Sequence, residues 1–153
     1  MSELAIRNRQ RSRRVHIAHL KKILRTLLVD LLRLRDYEVC VHLVSSSRIA
    51  RLNARFLGHS GSTDVITFDA SASPQRDRIA GEIFVSVGDA VAQARQFRTS
   101  WQSEIVRYVI NGVLHLRGFD DLKPGARRVM KRQENRLLRQ LGQRFRFRAL
   151  TRA

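Results

Sequence analysis

The stretch Asn111-Gly112-Val113-Leu114-His115-Leu116-Arg117-Gly118-Phe119-Asp120-Asp121 sets three possible metal-ligating side chains at offsets of 0, 4 and 10 residues. The run from Ile105 to Leu116 is apolar and predicts a buried helix, on which Asn111 and His115 lie one turn apart and point the same way. One ion can touch both. Gly118 is expected to end the helix, because glycine adopts the left-handed conformation that closes a last turn. Phe119-Asp120-Asp121 can then fold back over the helix end and bring Asp121 in as a third contact, with Asp120 forming the turn or supporting it.

Outward from that helix, Thr99 and Gln102 fit a capping box at its start, and Pro124 is placed to open a last helix reaching Leu141. Upstream, Ala5–Arg9 is a candidate first strand. Apolar residues from Val15 to Leu34 recur as on one face of a long helix, including Leu20, Ile23, Leu24, Leu27 and Leu28. A leucine stripe of this kind reads as a helix packed on a sheet, not as a membrane or coiled-coil element. Glu38–Val44 alternates like a strand, and Ser45-Ser46-Ser47 can cap a helix running to Phe56, which Gly58 and Gly61 break. Strands are expected at Asp64–Phe68 and Glu82–Val87 across a polar, proline-containing loop, followed by an Asp89-capped helix to Gln96. Thr63-Asp64 is expected to set the turn into its strand through backbone amides. The order is of βαβββααα type. It predicts a single α/β (α+β) domain over 1–153, with a core at about 3–141 and a basic tail at 142–153: a small mixed sheet of about four strands covered by about five helices.

The chain carries 30 Lys and Arg against 13 Asp and Glu, a net +17. That excess predicts a polyanionic partner. Arginine supplies nearly all of it, and its planar fork pairs bidentately with phosphate and stacks on bases, which favours nucleic acid over a generic acidic surface. Arg9, Arg11, Arg13, Arg14, Arg55 and Arg117 are the candidate RNA contacts. No helix-turn-helix or zinc-finger spacing is visible, so DNA is not expected. The apolar runs are too short for a bilayer, and the start lacks a signal peptide's pattern. The single Cys40 cannot form an internal disulfide, so the cytoplasm is the expected location, with Cys40 itself read as a small core residue. His59 either meets phosphate or is simply solvated, and Glu82, Glu104 and Glu134 read as strand-edge or helix-face charges.

Three ordered segments resemble the YbeY family of bacterial rRNA-maturation endoribonucleases. Leu52-Asn53-Ala54-Arg55-Phe56, Thr63-Asp64-Val65-Ile66-Thr67-Phe68 and Gly81-Glu82-Ile83-Phe84-Val85-Ser86 follow the family's Leu-Asn-x-x-Tyr, Thr-Asp-Val-Leu-Ser-Phe and Gly-Asp-Ile-x-Ile-Ser blocks in order. The stretch at 111–121 is similar, without a gap, to the family signature His-Gly-x-Leu-His-Leu-x-Gly-Tyr-Asp-His. Gly112, Leu114, His115, Leu116, Gly118 and Asp120 match it. Asn111 and Asp121 stand where the family has its first and third histidine, and Leu57 stands where it carries an arginine that meets substrate.

The resemblance implies a single-strand-specific, metal-dependent endoribonuclease acting in rRNA maturation, with rRNA and ribosomal particles as partners. It implies one Zn2+ held at Asn111, His115 and Asp121, with His115 the catalytic residue, and a zinc-activated water attacking an RNA phosphodiester. With one imidazole, one amide and one carboxylate, three outcomes are open: a weak zinc site, a shift toward manganese or magnesium, or no metal, with Asp121 capping the last helix. The alternative activity is that of a weak or inactive RNA-binding ribosome-assembly factor on the same fold.

Overall fold

A computed structural model describes residues 2–73 and 75–151. The strands are β1 (Glu3–Asn8), β2 (Asp36–Val44), β3 (Val65–Asp69) and β4 (Arg78–Ser86). The helices are α1 (Ile17–Arg25), α2 (Ser46–Leu52), α3 (Val87–Phe97), α4 (Trp101–Leu116) and α5 (Pro124–Arg144). The sheet order is β1-β2-β4-β3, with β1 and β4 parallel to β2 and β3 antiparallel to β4. It is therefore a mixed four-stranded sheet with five α-helices, and its order is βαβαββααα because the Ser45-capped helix is a full element.

Alternation along the strands divides the sheet into two faces. Val39, Val41 and Leu43 of β2 and Ile83 and Val85 of β4 are buried in the main core with the leucines of α1 and the apolar side of α4. Gly112 lets α4 approach β4 closely: a Cβ there would lie 2.7 Å from Ile83 Cγ2. On the opposite face α2 closes a smaller cluster of Val44, Ile49, Leu52 and Ile66, against which Phe68 and Phe84 pack.

Local boundaries differ from the sequence reading where a better cap sits nearby. Ser100, not Thr99, caps α4 by accepting from the Ser103 amide at 3.1 Å, while Thr99 donates its hydroxyl to Glu104 at 2.7 Å. Ser86, not Asp89, caps α3 through the Asp89 amide, and Asp89 instead accepts from the Ser46 hydroxyl at 2.9 Å. The leucine-striped helix is α-helical only to Arg25 and then widens into π-type winding over Thr26–Leu31. The basic, aromatic end is built into the fold: Phe145 and Phe147 pack on the core, Leu150 is fully buried, and the His16 amide donates to the Leu150 carbonyl at 2.8 Å.

Candidate functional site

Helix α4 ends as its glycine demands. Gly118 has φ 94°, its amide donates to the His115 carbonyl at 2.9 Å, and the Phe119 amide donates to the Leu114 carbonyl at 3.0 Å. Asp120 accepts from the Leu122 amide at 2.7 Å, which tightens the next turn and swings Asp121 back toward the helix. Asp121 Oδ2 comes to 3.8 Å from His115 Nε2. On the other side of the imidazole, Nδ1 lies 3.1 Å from the Phe119 carbonyl oxygen. A carbonyl can only accept, so in the neutral ring Nδ1 carries the proton and Nε2 presents its lone pair toward Asp121.

Asn111 is held in a comparable way. Its Nδ2 donates to Glu134 Oε2 at 3.2 Å, which leaves Oδ1 as the end it can offer to a cation. Glu134 is 4% exposed, and its Oε1 accepts from Arg107 at 2.7 Å and Lys131 at 3.3 Å. A buried carboxylate needs such partners, and here they join α4 to α5 across the site. Two ligands on one divalent ion are separated by roughly 3 to 3.4 Å for bonds of about 2.0–2.2 Å. The separation of His115 and Asp121 is within a few tenths of an ångström of that range. The spacing of His115 and Asp121 is thus near that of two ligands on one divalent cation, and imidazole nitrogen, carboxylate and amide oxygen make a harder donor set than three imidazoles.

Asn111, His115 and Asp121 line one cleft of about 800 Å3, bounded by α4, the start of α5, the edge strand β3 and the exposed Leu57. Asp64 lines it too. Its Oδ1 accepts from the Val65 amide at 2.8 Å and the Thr63 hydroxyl at 3.4 Å, as the Thr-Asp turn requires. Burial nevertheless pushes this carboxyl above its ordinary value of 3.8. The Tyr108 hydroxyl, also at the cleft, is buried without a hydrogen-bond partner among the described residues. Desolvation, together with the nearby Asp64 and Glu104 carboxylates, holds its proton far more tightly than usual.

The predicted arginines are carried by several separate elements. Arg55 lies just past the end of α2, its guanidinium 5.3 Å from the centre of the Phe56 ring. Arg117 donates to the Arg76 carbonyl at 2.9 Å, and burial lowers its pKa. Arg11, Arg13 and Arg14 occupy the β1–α1 connection, and Arg9 lines a groove elsewhere, on β1 and β2. The cations lining the cleft itself are Arg107, Arg127 and Lys131, which the sequence reading missed. The i, i+4 spacing of Arg127 and Lys131 was visible, but which side of α5 faces α4 was not. Glu104 and Glu134 were read as helix-face charges; both are buried at the cleft, 8% and 4% exposed. Cys40 is half-buried on the face of the sheet away from α4 and is no part of the core, because its neighbours Val39 and Val41 take the inward positions.

The likenesses to known proteins extend over the same elements. The chain is 37% identical over 101 residues to a Bacteroides thetaiotaomicron protein named Endoribonuclease YbeY, covering 66% of this chain and 72% of that protein. It is 40% identical over 93 residues to a Chlorobium phaeobacteroides protein of the same name, covering 61% of this chain and 65% of that one. The solution structure of TM1509 from Thermotoga maritima superposes with a TM-score of 0.66 at 27% identity, covering 91% of this chain and 89% of that one. The sequence profile of the family described as Endoribonuclease YbeY matches residues 5–142, and the chain belongs to that family.

Proposed function

We propose that this chain is a metal-dependent endoribonuclease that cuts single-stranded rRNA during ribosome maturation, working in the cytoplasm on rRNA and ribosomal particles. The observation that carries the reading is the pairing of a lone-pair-presenting His115 Nε2 with Asp121, 3.8 Å apart in a cleft that Arg107, Arg127 and Lys131 also line. In this reading His115, Asp121 and the Asn111 amide oxygen hold one divalent ion, Zn2+ by family likeness. A cation held there supplies Lewis-acid polarisation of a phosphodiester and acidifies water for attack.

The protein's own groups do the rest. The Phe119 carbonyl keeps the proton on Nδ1, and Glu134 keeps the amide of Asn111 turned so that Oδ1 faces the ion. Arg127 and Lys131 supply positive charge beside the scissile phosphate, a part the family gives to the arginine replaced here by Leu57. Arg9, Arg11, Arg13, Arg14, Arg55 and Arg117 contribute sequence-independent attraction to the RNA backbone.

The test is metal content and cleavage of single-stranded RNA by wild type and His115→Ala, purified without chelator or nickel. Wild type is expected to carry metal and cut, and the variant to lose both while keeping its RNA affinity. Unchanged metal stoichiometry in the variant would reject the site. A wild type that binds RNA with neither metal nor cleavage would reject the enzyme and leave an RNA-binding assembly factor.

A further inference from the structure

A second set of metal-ligating side chains lies on the face of the sheet that α4 does not cover. Cys40 of β2 stands directly opposite Glu82 of β4 in the parallel register, and His42 follows two residues along on the same side. One ligand atom from each, the Cys40 thiol sulfur, a His42 ring nitrogen and a Glu82 carboxylate oxygen, lie within 4.8 Å of one another. Among the described residues this is the one cluster of three such side chains from His, Cys, Asp and Glu. The signature at 111–121 does not involve it; of the three residues only Glu82 stands in a family block, at the acidic position of Gly81–Ser86.

The frame is rigid where a site needs it to be. All three residues are on hydrogen-bonded strands, and the His42 ring is stacked on Phe84 with centroids 4.2 Å apart and planes 6° from parallel. That stacking fixes the imidazole plane and aims Nε2 at Glu82 Oε1, 2.8 Å away. The electrostatic setting is unusual for this chain. Glu3, Glu38 and Glu82 line the groove beside Arg7 and Arg9, so acidic residues outnumber basic ones here in a protein with 30 basic and 13 acidic residues.

We propose that Cys40, His42 and Glu82 form a Zn2+ site separate from the cleft of the family activity. Thiolate and imidazole are donors that favour zinc over magnesium or calcium, and a carboxylate oxygen is a third donor that zinc accepts. Ligand atoms around tetrahedral zinc are separated by about 3.3–3.8 Å, given bonds of about 2.0–2.3 Å. The His42–Glu82 pair opens slightly from its hydrogen bond and the thiol closes in, movements that rotamers accommodate without shifting a strand. On binding, the Cys40 thiol proton passes to solvent and the single ring proton of neutral His42 moves to Nδ1 to leave Nε2 for the metal, so the site takes metal more tightly as pH rises. Three protein ligands leave a fourth position open to water or a further ligand, on a groove that also carries Arg7 and Arg9.

The single cysteine makes the site separable by spectroscopy. Full-length protein, kept reduced with a phosphine, is titrated with Co2+ as a zinc surrogate. A thiolate–cobalt charge-transfer band in the near ultraviolet is expected, which the amide, imidazole and carboxylate of the cleft cannot produce. Zn2+ should displace it, Cys40→Ser should abolish it, and His115→Ala should leave it unchanged. Glu82→Gln, an isosteric change at a half-exposed side chain, should weaken Co2+ binding by about tenfold or more, the scale on which even outer partners of a ligand matter. Absence of the band in wild type would overturn the proposal. So would a band whose affinity is unchanged by both Glu82→Gln and His42→Ala, since the thiol would then be binding alone.

Discussion

Residue chemistry at the cleft turns on which end of each side chain is already committed. The Phe119 carbonyl and Glu134 occupy the far ends of His115 and Asn111, so Nε2 and Oδ1 are the ends left for a ligand. Asn111→His with Asp121→His is therefore expected to raise zinc affinity by at least about tenfold, because two imidazoles replace an amide and a carboxylate on a preset frame. Competition with a chromogenic chelator measures it. Cleavage need not quicken, since Leu57 still occupies the arginine position. A folded double variant with unchanged affinity would show that residues 111, 115 and 121 do not converge in solution. Asp64 gives a pH-dependent test. Its folded pKa is raised by burial, so the native state binds the proton more tightly than the unfolded chain. Stability from this group is gained as pH falls through the raised value and lost above it. Asp64→Asn, which keeps an acceptor for the Val65 amide, should raise Tm near neutral pH, with the gain shrinking toward the ordinary carboxylate value. Thermal melts across that range decide it, and a gain independent of pH would contradict the account.

At the level of elements, α4 packs closely on β4 at Gly112. A Cβ at Gly112 would meet three atoms of the fully buried Ile83 side chain at 2.7, 2.9 and 2.9 Å. Alanine favours helix over glycine by about 1 kcal/mol, whereas overpacking a closed core costs typically about 1–3 kcal/mol. With three contacts this close the clash is expected to win, and Gly112→Ala should destabilise by about 1–2 kcal/mol in denaturant unfolding. Combined with Ile83→Ala it should cost less than the sum of the two single changes, because the added methyl enters the space that Ile83 vacates. Strict additivity would mean that α4 moves away from the sheet instead. The signature helix and its glycine turn were legible because their contacts are made three to six residues apart, between atoms the sequence already orders. The caps at Ser86 and Ser100 were missed by one to three residues. Several hydroxyl and carboxylate side chains compete at each start, and the winner is decided by partners such as Ser46, 43 residues from the Asp89 it bonds.

For the whole molecule, a net charge of +17 spread over several surfaces predicts RNA affinity dominated by counterion release. With roughly six to ten phosphates neutralised, affinity should fall steeply between low and physiological salt, by about 0.7 log units per log unit of salt for each phosphate on a single strand. Replacing Arg11, Arg13 and Arg14 by Ala should flatten that slope by roughly 2 while weakening all sequences alike. Fluorescence anisotropy over a salt series reads both effects. A flat affinity would remove electrostatics as the source of binding. No helix among the described residues is long and apolar enough to cross a membrane.

What the sequence determined alone was the family, the mixed sheet with its helices, and the helix that carries His115. Those follow from periodicity, glycine conformations and short spacings, which survive in a linear string. Tertiary structure decided what surrounds that helix. Glu134 reaches Asn111 from 23 residues away, and Arg107, Arg127 and Lys131 come to the cleft through the rotation of α5 on α4. It also decided that the aromatic end docks on the core and that Cys40 meets Glu82, 42 positions along the chain, across a strand pair. Each of these depends on which faces two distant elements turn to one another, and that is settled by packing the whole core at once.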